Sequence, residues 1–197
     1  MVAQPSRAYM TVDEWRELQR TSHNMKYEYL DGQVYAMAGG TLDHGRIGLN
    51  VGSILTDKLD GSPCRVYNSE VAVRLSPTYY TLPDATVTCD EQDRGRVTEI
   101  QSPRVIVEVL SDSTEARDRG EKFMRSRQHP TVQEYVLVST KYQAVEVYRR
   151  TAEGWMLHSY EAGDTVELIS IGVSFLVAAL YKYTDVPEDL NAFEGDV

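Results

Sequence analysis

Sulfur and imidazole are scarce in this chain. Its 197 residues hold two cysteines and four histidines. The histidines, at 23, 44, 129 and 158, show no metal-ligand spacing, and two cysteines cannot build a thiolate zinc site. Cys64 and Cys89 are also too few and too far apart for a disulfide framework. A chance pair across adjacent strands stays open, but the reading is a reduced, cytoplasmic protein. No long apolar run is present. The stretch from Ile169 to Tyr181 is broken by Ser170, Gly172 and Ser174 and falls short of the ~20 residues that span a bilayer. The opening MVAQPSRAYM lacks the apolar segment of a secretory signal, so no membrane partner is expected. Also missing are a GxSxG elbow, a phosphate-binding glycine loop, a dinucleotide fingerprint and HExxH, which removes serine-hydrolase, nucleotide-loop and zincin chemistry.

Positive charge is in short supply as well. Thirty acids against twenty lysines and arginines give a net charge of −10 and a pI near 4.9. Non-specific binding to a polyanion needs clustered bases and is disfavoured. A nucleic-acid enzyme is not excluded, because a bound metal ion supplies positive charge locally. From 185 to 197 there are five acids and no base, which reads as a loosely held tail. From Arg117 to Arg127 there are five bases and two acids. Phenylalanine is rare, at three, while tyrosine reaches thirteen, as suits half-exposed strands.

What is present reads as one domain over 1–197, with a core from about 10 to 183 and the acidic tail from 184. Thr11 and Glu14 form a capping box, with Met10 and Trp15 as a hydrophobic staple, predicting a helix from about Val12 to Gln19. KYEYL and QVYAMA flank Asp31-Gly32, a strong hairpin signal. Asp43 can cap a second helix carrying Ile47, Val51, Ile54, Leu55 and Leu59 at helical spacing, with Gly61 near its end. CRVYN, EVAVRL and DATVTC read as strands, and RVIVEVL as a strand covered on both faces. SDST starts a helix reaching to about Gln128, where His129-Pro130 ends it. QEYVLVS, AVEVYRR, WMLHSY and TVELI follow as strands, then a short apolar helix near Phe175 to Leu180. The order predicts an α/β fold (mixed α+β), a mixed central sheet flanked by helices, with an N-terminal helix and hairpin.

Glu108 lies inside Val-Ile-Val-Glu-Val-Leu, where a lone carboxylate is costly, so it needs a metal, a cation or a proton. Asp84 follows Pro83, which cannot donate to a ladder, so it marks a strand start or edge. Two carboxylates on neighbouring strands can converge on one hard cation such as Mg²⁺, which takes one or two protein carboxylates and keeps several waters. A structural ion pair of Glu108 with Arg74 or Arg104 is the plain alternative. Read alone, Lys122 is a solvated residue paired with Asp118 at i,i+4, and Glu28 is an outward strand residue facing Lys26. His44 is then a capping or surface residue. Arg117, Arg119, Arg125 and Arg127 form either a phosphate-tracking face or a solvated helix face.

The stretches KYEYLDGQVYAMAGG…DH, LPDATV, SPRVIVEVLSDSTEARDRGEKF and VQEYVLV, in that order and spacing, resemble the Uma-type family of the PD-(D/E)XK nuclease superfamily, described as putative restriction endonucleases. The resemblance runs from about Thr11 to Leu180. It implies a restriction-endonuclease-like core and a Mg²⁺- or Mn²⁺-dependent endonuclease acting on DNA as a homodimer. It carries over Asp84 as the metal-binding aspartate, Glu108 as the second acid, and a Val109 backbone carbonyl as a further ligand. The superfamily lysine two residues after that acid is here Leu110. The resemblance places the lysine instead on the following helix, at Lys122. Glu28 matches an additional catalytic acid, and His44 a histidine at the start of the second helix that contacts substrate. Arg119 and Arg125 are candidates for substrate phosphate. Where relatives carry an aromatic one turn after the lysine, this chain has Met124-Arg125-Ser126.

The leading expectation is metal-dependent hydrolysis of DNA phosphodiesters. Its rival is a non-catalytic nucleic-acid-binding or protein-interaction module on the same fold, which the acidic pI favours. Lys122→Met is expected to leave folding almost unchanged while lowering turnover.

Overall fold

A computed structural model describes residues 9–37, 39–95 and 98–189. The chain opens with α1 (Val12–Thr21), whose capping box joins Thr11 and Glu14 as expected, and Met10 packs beside Trp15. The hairpin β1 (Tyr27–Leu30) and β2 (Gln33–Ala36) turns at Asp31 and Gly32, both with positive φ, the signature of a type I′ turn. Helix α2 (Leu42–Lys58) starts two residues earlier than a cap at Asp43 would set it: the Thr41 hydroxyl accepts from the His44 amide. The next strands are β3 (Arg65–Asn68), β4 (Ala72–Ser76), β5 (Tyr79–Thr81), β6 (Ala85–Thr88), β7 (Glu99–Ile100) and β8 (Pro103–Val109). The helix expected from SDST to Gln128 is broken into α3 (Glu115–Arg117), a π-helical turn (Asp118–Lys122) and α4 (Phe123–Ser126). Then come β9 (Glu134–Val138), β10 (Ala144–Thr151), β11 (Gly154–Glu161), β12 (Thr165–Leu168), β13 (Val173–Leu176) and α5 (Val177–Leu180).

The strands form mixed sheets rather than one. A six-stranded sheet runs β11-β10-β9-β8-β6-β3, parallel only between β8 and β9. A five-stranded sheet runs β2-β1-β5-β4-β7, and β12-β13 forms a third pair. Strand β8 is covered on both faces, as its apolar run predicts. Val105, Val107 and Val109 join a core with Ile47, Val51 and Leu55 of α2. Burial of such side chains contributes roughly 1.5–3 kcal/mol each. On the alternate parity, Ile106 joins Leu30, Val73 and Tyr79 of the five-stranded sheet and Tyr135 and Leu137 of β9. Glu108 shares the parity of Ile106, so strand alternation sends it into the layer between the two large sheets.

Three sequence expectations need correction. Cys64 and Cys89 are joined in a disulfide. Antiparallel pairing of Arg65 with Thr88 puts the two cysteines opposite each other, so a separation of 25 residues along the chain vanishes in space. The bridge runs against the reading of a reduced protein. The start of the 184–197 tail is anchored rather than loose: Val186 is buried and the Pro187 carbonyl accepts from the Gln143 amide at 2.9 Å. Residues 190–197 of that tail lie outside the described residues. Neither Arg74 nor Arg104 is the partner of Glu108. Arg74 pairs with Glu99, and Arg104 donates to the Ser170 carbonyl. Among the described residues no helix is long and apolar enough to cross a membrane.

Candidate active site

Asp84 directly precedes β6, and the antiparallel pairing of Ala85 with Val107 sets it opposite Glu108 on β8. The two carboxylates therefore stand on neighbouring strands, as the sequence suggests. Asp84 is held by the Val109 amide, which donates to Oδ2 at 2.7 Å, and His44 Nε2 lies 3.6 Å from the same oxygen. The Val109 group facing Asp84 is thus its N–H.

Behind Asp84, between the large sheets, four buried charged residues meet. The Lys122 ammonium donates to Glu108 Oε1 at 2.9 Å and lies 3.0 Å from Glu28 Oε1 and 3.3 Å from Asp118 Oδ1. All four side chains are at most 7% exposed, so Lys122 is no solvated surface residue. Glu28 points inward from β1 rather than out toward Lys26. It also accepts from the Thr81 hydroxyl at 2.5 Å, the Leu82 amide at 3.1 Å and Arg117 Nη1 at 2.5 Å. The Arg117 guanidinium stacks on Tyr35 with 4.1 Å to the ring centre. The π turn is closed by the Phe123 amide on the Asp118 carbonyl, which also accepts from the Tyr135 hydroxyl of β9 at 2.9 Å. Such wide turns recur at functional positions. This one ties Asp118 and Lys122 to the sheet.

The environment treats these groups differently. Burial pushes Glu108 well above the usual carboxylate range, and Asp118, Asp84 and Glu28 add to it against the pull of Lys122. Burial also raises Asp84, with His44 and the Val109 amide offsetting part of the effect. Glu28 is buried too, but Lys122, Arg117 and its hydrogen bonds overcome that and hold it down at about 2. Burial alone would lower Lys122. The three carboxylates outweigh it and keep the ammonium charged well beyond the ordinary lysine range.

Asp84 and His44 border an open cleft of about 1420 Å³, whose wall includes Gly45, Gly48 and Gly52 of α2. Glu28, Glu108 and Lys122 lie behind this surface. Arg119 and Arg125 are elsewhere: Arg119 pairs with Glu115 and Glu146, and Arg125 with Asp31. Asp118 is the member that sequence reasoning did not place in the site, and Arg117, read there as part of a phosphate-tracking or solvated helix face, instead pairs with buried Glu28. The i,i+4 spacing of Asp118 and Lys122 was the available signal, but it does not tell a buried pair from a solvated one.

Among the described residues no three His, Cys, Asp or Glu side chains form a ready-made metal cage. That is compatible with Mg²⁺, which needs one or two carboxylates and otherwise keeps water. The donor set fits such an ion. Asp84 and Glu108 offer hard carboxylate oxygens from opposed positions, and burial raises both despite the opposing pull of His44, the Val109 amide and Lys122.

Comparison with known proteins shows the family and the fold of this chain. The model of the Uma2 family, described as "Putative restriction endonuclease", matches residues 12–178. The uncharacterized protein slr1290 of Synechocystis sp. is 42% identical over 171 residues, covering 86% of this chain and 88% of that protein. The uncharacterized protein sll1609 of the same organism is 27% identical over 157 residues, covering 78% and 86%. A crystal structure of a putative nuclease belonging to DUF820 from Anabaena variabilis superposes with a TM-score of 0.71 at 19% identity. It covers 87% of this chain and 97% of that one, a likeness of fold.

Proposed function

Since the chain belongs to the Uma2 family of putative restriction endonucleases, we propose that it is a Mg²⁺- or Mn²⁺-dependent nuclease that hydrolyses DNA phosphodiester bonds at Asp84 and Glu108. The observation that carries the reading is Asp84, directly before β6, set opposite Glu108 on β8, with the Lys122 ammonium 2.9 Å from Glu108. Asp84, oriented by the Val109 amide, presents one carboxylate at the cleft, and Glu108 presents the second from behind it. When bound there, a divalent ion would supply a Lewis acid for a phosphoryl oxygen and a water of lowered pKa. Lys122 supplies positive charge as negative charge builds on the phosphate oxygens in the transition state. His44, on the cleft and beside Asp84, is placed to donate to a substrate phosphate. Glu28, with both oxygens engaged by the protein, orients Lys122. A substrate role for Arg119 and Arg125 requires their present ion pairs to exchange. A homodimer, which the resemblance implies, belongs to the same proposal.

The test is Mn²⁺ binding by calorimetry with melting curves, followed by cleavage of a DNA substrate. Wild type should bind Mn²⁺ and gain about 2.7 kcal/mol at a hundredfold excess over Kd. Asp84→Asn and Glu108→Gln should lose both effects. Mn²⁺ binding by Glu108→Gln equal to wild type puts the ion elsewhere. Lys122→Met leaves buried Glu108 and Asp118 without this counter-ion and Glu28 with Arg117 alone, so it perturbs the fold as well as the chemistry. Breaking a buried pair from one side costs roughly 3–5 kcal/mol, so Lys122→Met destabilises the fold, unlike the sequence expectation. The complete engagement of Lys122 by carboxylates favours the second reading, a non-catalytic module. Metal binding without cleavage of any DNA substrate would support that reading.

A further inference from the structure

An ammonium has three N–H donors, and Lys122 has three carboxylates within 3.3 Å. Charge balance does not require all three. Glu28 already has a cation of its own, Arg117 Nη1 at 2.5 Å, and hydrogen bonds from Thr81 and Leu82. Glu108 is the member shared with the facing carboxylate Asp84. Asp118 is different. Its side chain is 3% exposed, its ion pair is with Lys122 on the same turn, and its own backbone is pinned by Tyr135. No reaction described above uses it.

We propose that Asp118 is a positioning residue that, with Glu28, fixes the Lys122 ammonium independently of Glu108. The proposal rests on the nuclease reading of Lys122. Two carboxylates other than Glu108 keep its charge in place whatever Glu108 binds. The third N–H, which donates to Glu108, is then the one left to serve the reaction. The π turn is the structural means: it carries Asp118 and Lys122 together on one wide turn, and the Tyr135 hydroxyl docks that turn onto β9. Without Asp118 the ammonium keeps only Glu28, which Arg117 shares, besides Glu108, and its long stem regains rotational freedom.

Two measurements test this on the full chain. In ¹⁵N-lysine spectra, a clamped ammonium exchanges its protons slowly enough to be seen. Asp118→Asn should raise that exchange rate by roughly tenfold or more, as expected when a buried ion pair loses one partner. Asp118→Glu should restore protection. In Mn²⁺-loaded cleavage, Asp118→Asn should lower kcat by roughly tenfold or more with KM unchanged, and Asp118→Glu should recover most of it. A folded Asp118→Asn with wild-type exchange or wild-type kcat overturns the proposal. If Asp118→Asn does not fold, Glu108→Gln decides. Its Lys122 still faces Glu28 and Asp118, so the protected signal must persist, and its loss overturns the proposal. Wild type that cleaves no DNA sinks the nuclease reading and with it the catalytic meaning of the clamp. The exchange measurement still tells a built clamp from a loose lysine.

Discussion

Glu28 and Glu108 face the same ammonium, yet their surroundings push them in opposite directions. Glu28 is held at about 2 against an ordinary 4.5, so its ionised form stabilises the fold. That contribution is complete above the unfolded value of 4.5 and is lost as pH falls through the folded value near 2. Its size is on the order of 3 kcal/mol at neutral pH. Glu108 is raised, so ionising it costs stability as pH climbs above 4.5 toward its folded value. In metal-free urea unfolding at pH 7, Glu28→Gln should lose on the order of 3 kcal/mol, with the difference shrinking as pH falls from 4.5 toward 2. Glu108→Gln should equal wild type or exceed it, since Lys122 retains Glu28 and Asp118. A Glu28→Gln variant as stable as wild type at pH 7 would contradict this assignment, as would a loss of several kcal/mol in Glu108→Gln.

At the scale of elements, α2 has two faces with different tasks. Ile47, Val51 and Leu55 pack against the six-stranded sheet, while Gly45, Gly48 and Gly52 line the cleft. A Cβ added at any of these three glycines meets no atom within 4 Å, so nothing in the described chain requires them to be glycine. Each costs the helix roughly 0.8–1 kcal/mol relative to alanine. Replacing all three with alanine should therefore stabilise the protein by roughly 2–3 kcal/mol. If DNA passes along this wall, the same variant should raise KM for cleavage while leaving Mn²⁺ binding at Asp84 intact. An unchanged KM would place the substrate path off this helix. The hydrophobic spacing of α2 was legible in the sequence because helix period and burial are local. The break at Asp118–Lys122 was not, since the turn is docked by Tyr135 from a strand that follows it in the chain.

Across the whole molecule, the Cys64–Cys89 bridge staples the edge strand β3 to β6, the strand that Asp84 precedes. Closing a loop of this length stabilises a fold by roughly 3 kcal/mol in the chain-entropy account. The double variant Cys64→Ser/Cys89→Ser, and wild type under reducing conditions, should each lose about that amount against the oxidised protein. Thiol titration of the unfolded, unreduced chain should find no free cysteine. Two reactive thiols there, with no stability difference on reduction, would show that the pair is unbridged and return the molecule to the reduced state its composition suggests.

Local chemistry was decided by the sequence alone. The Thr11–Glu14 capping box, the Asp31-Gly32 hairpin and the doubly covered run around Glu108 depend on neighbours a few residues away, and each stands where the pattern puts it. The sequence also marks Asp84 and Glu108 as carboxylates that need partners, but it is the pairing of β6 with β8 that sets them opposite each other. What the tertiary structure decided is every contact whose partners are brought together only by sheet order. It sets two large sheets face to face, which turns Glu28 inward to Lys122 and gives Arg117 to Glu28 across 89 residues. It aligns β3 with β6 so that the cysteines meet, and it draws Arg74 and Arg104 away from Glu108. A buried charge announces from sequence that it needs a partner, through the cost of leaving it alone. Which partner it receives depends on which elements the packing of apolar faces brings into the same layer, and that is a property of the assembled sheets.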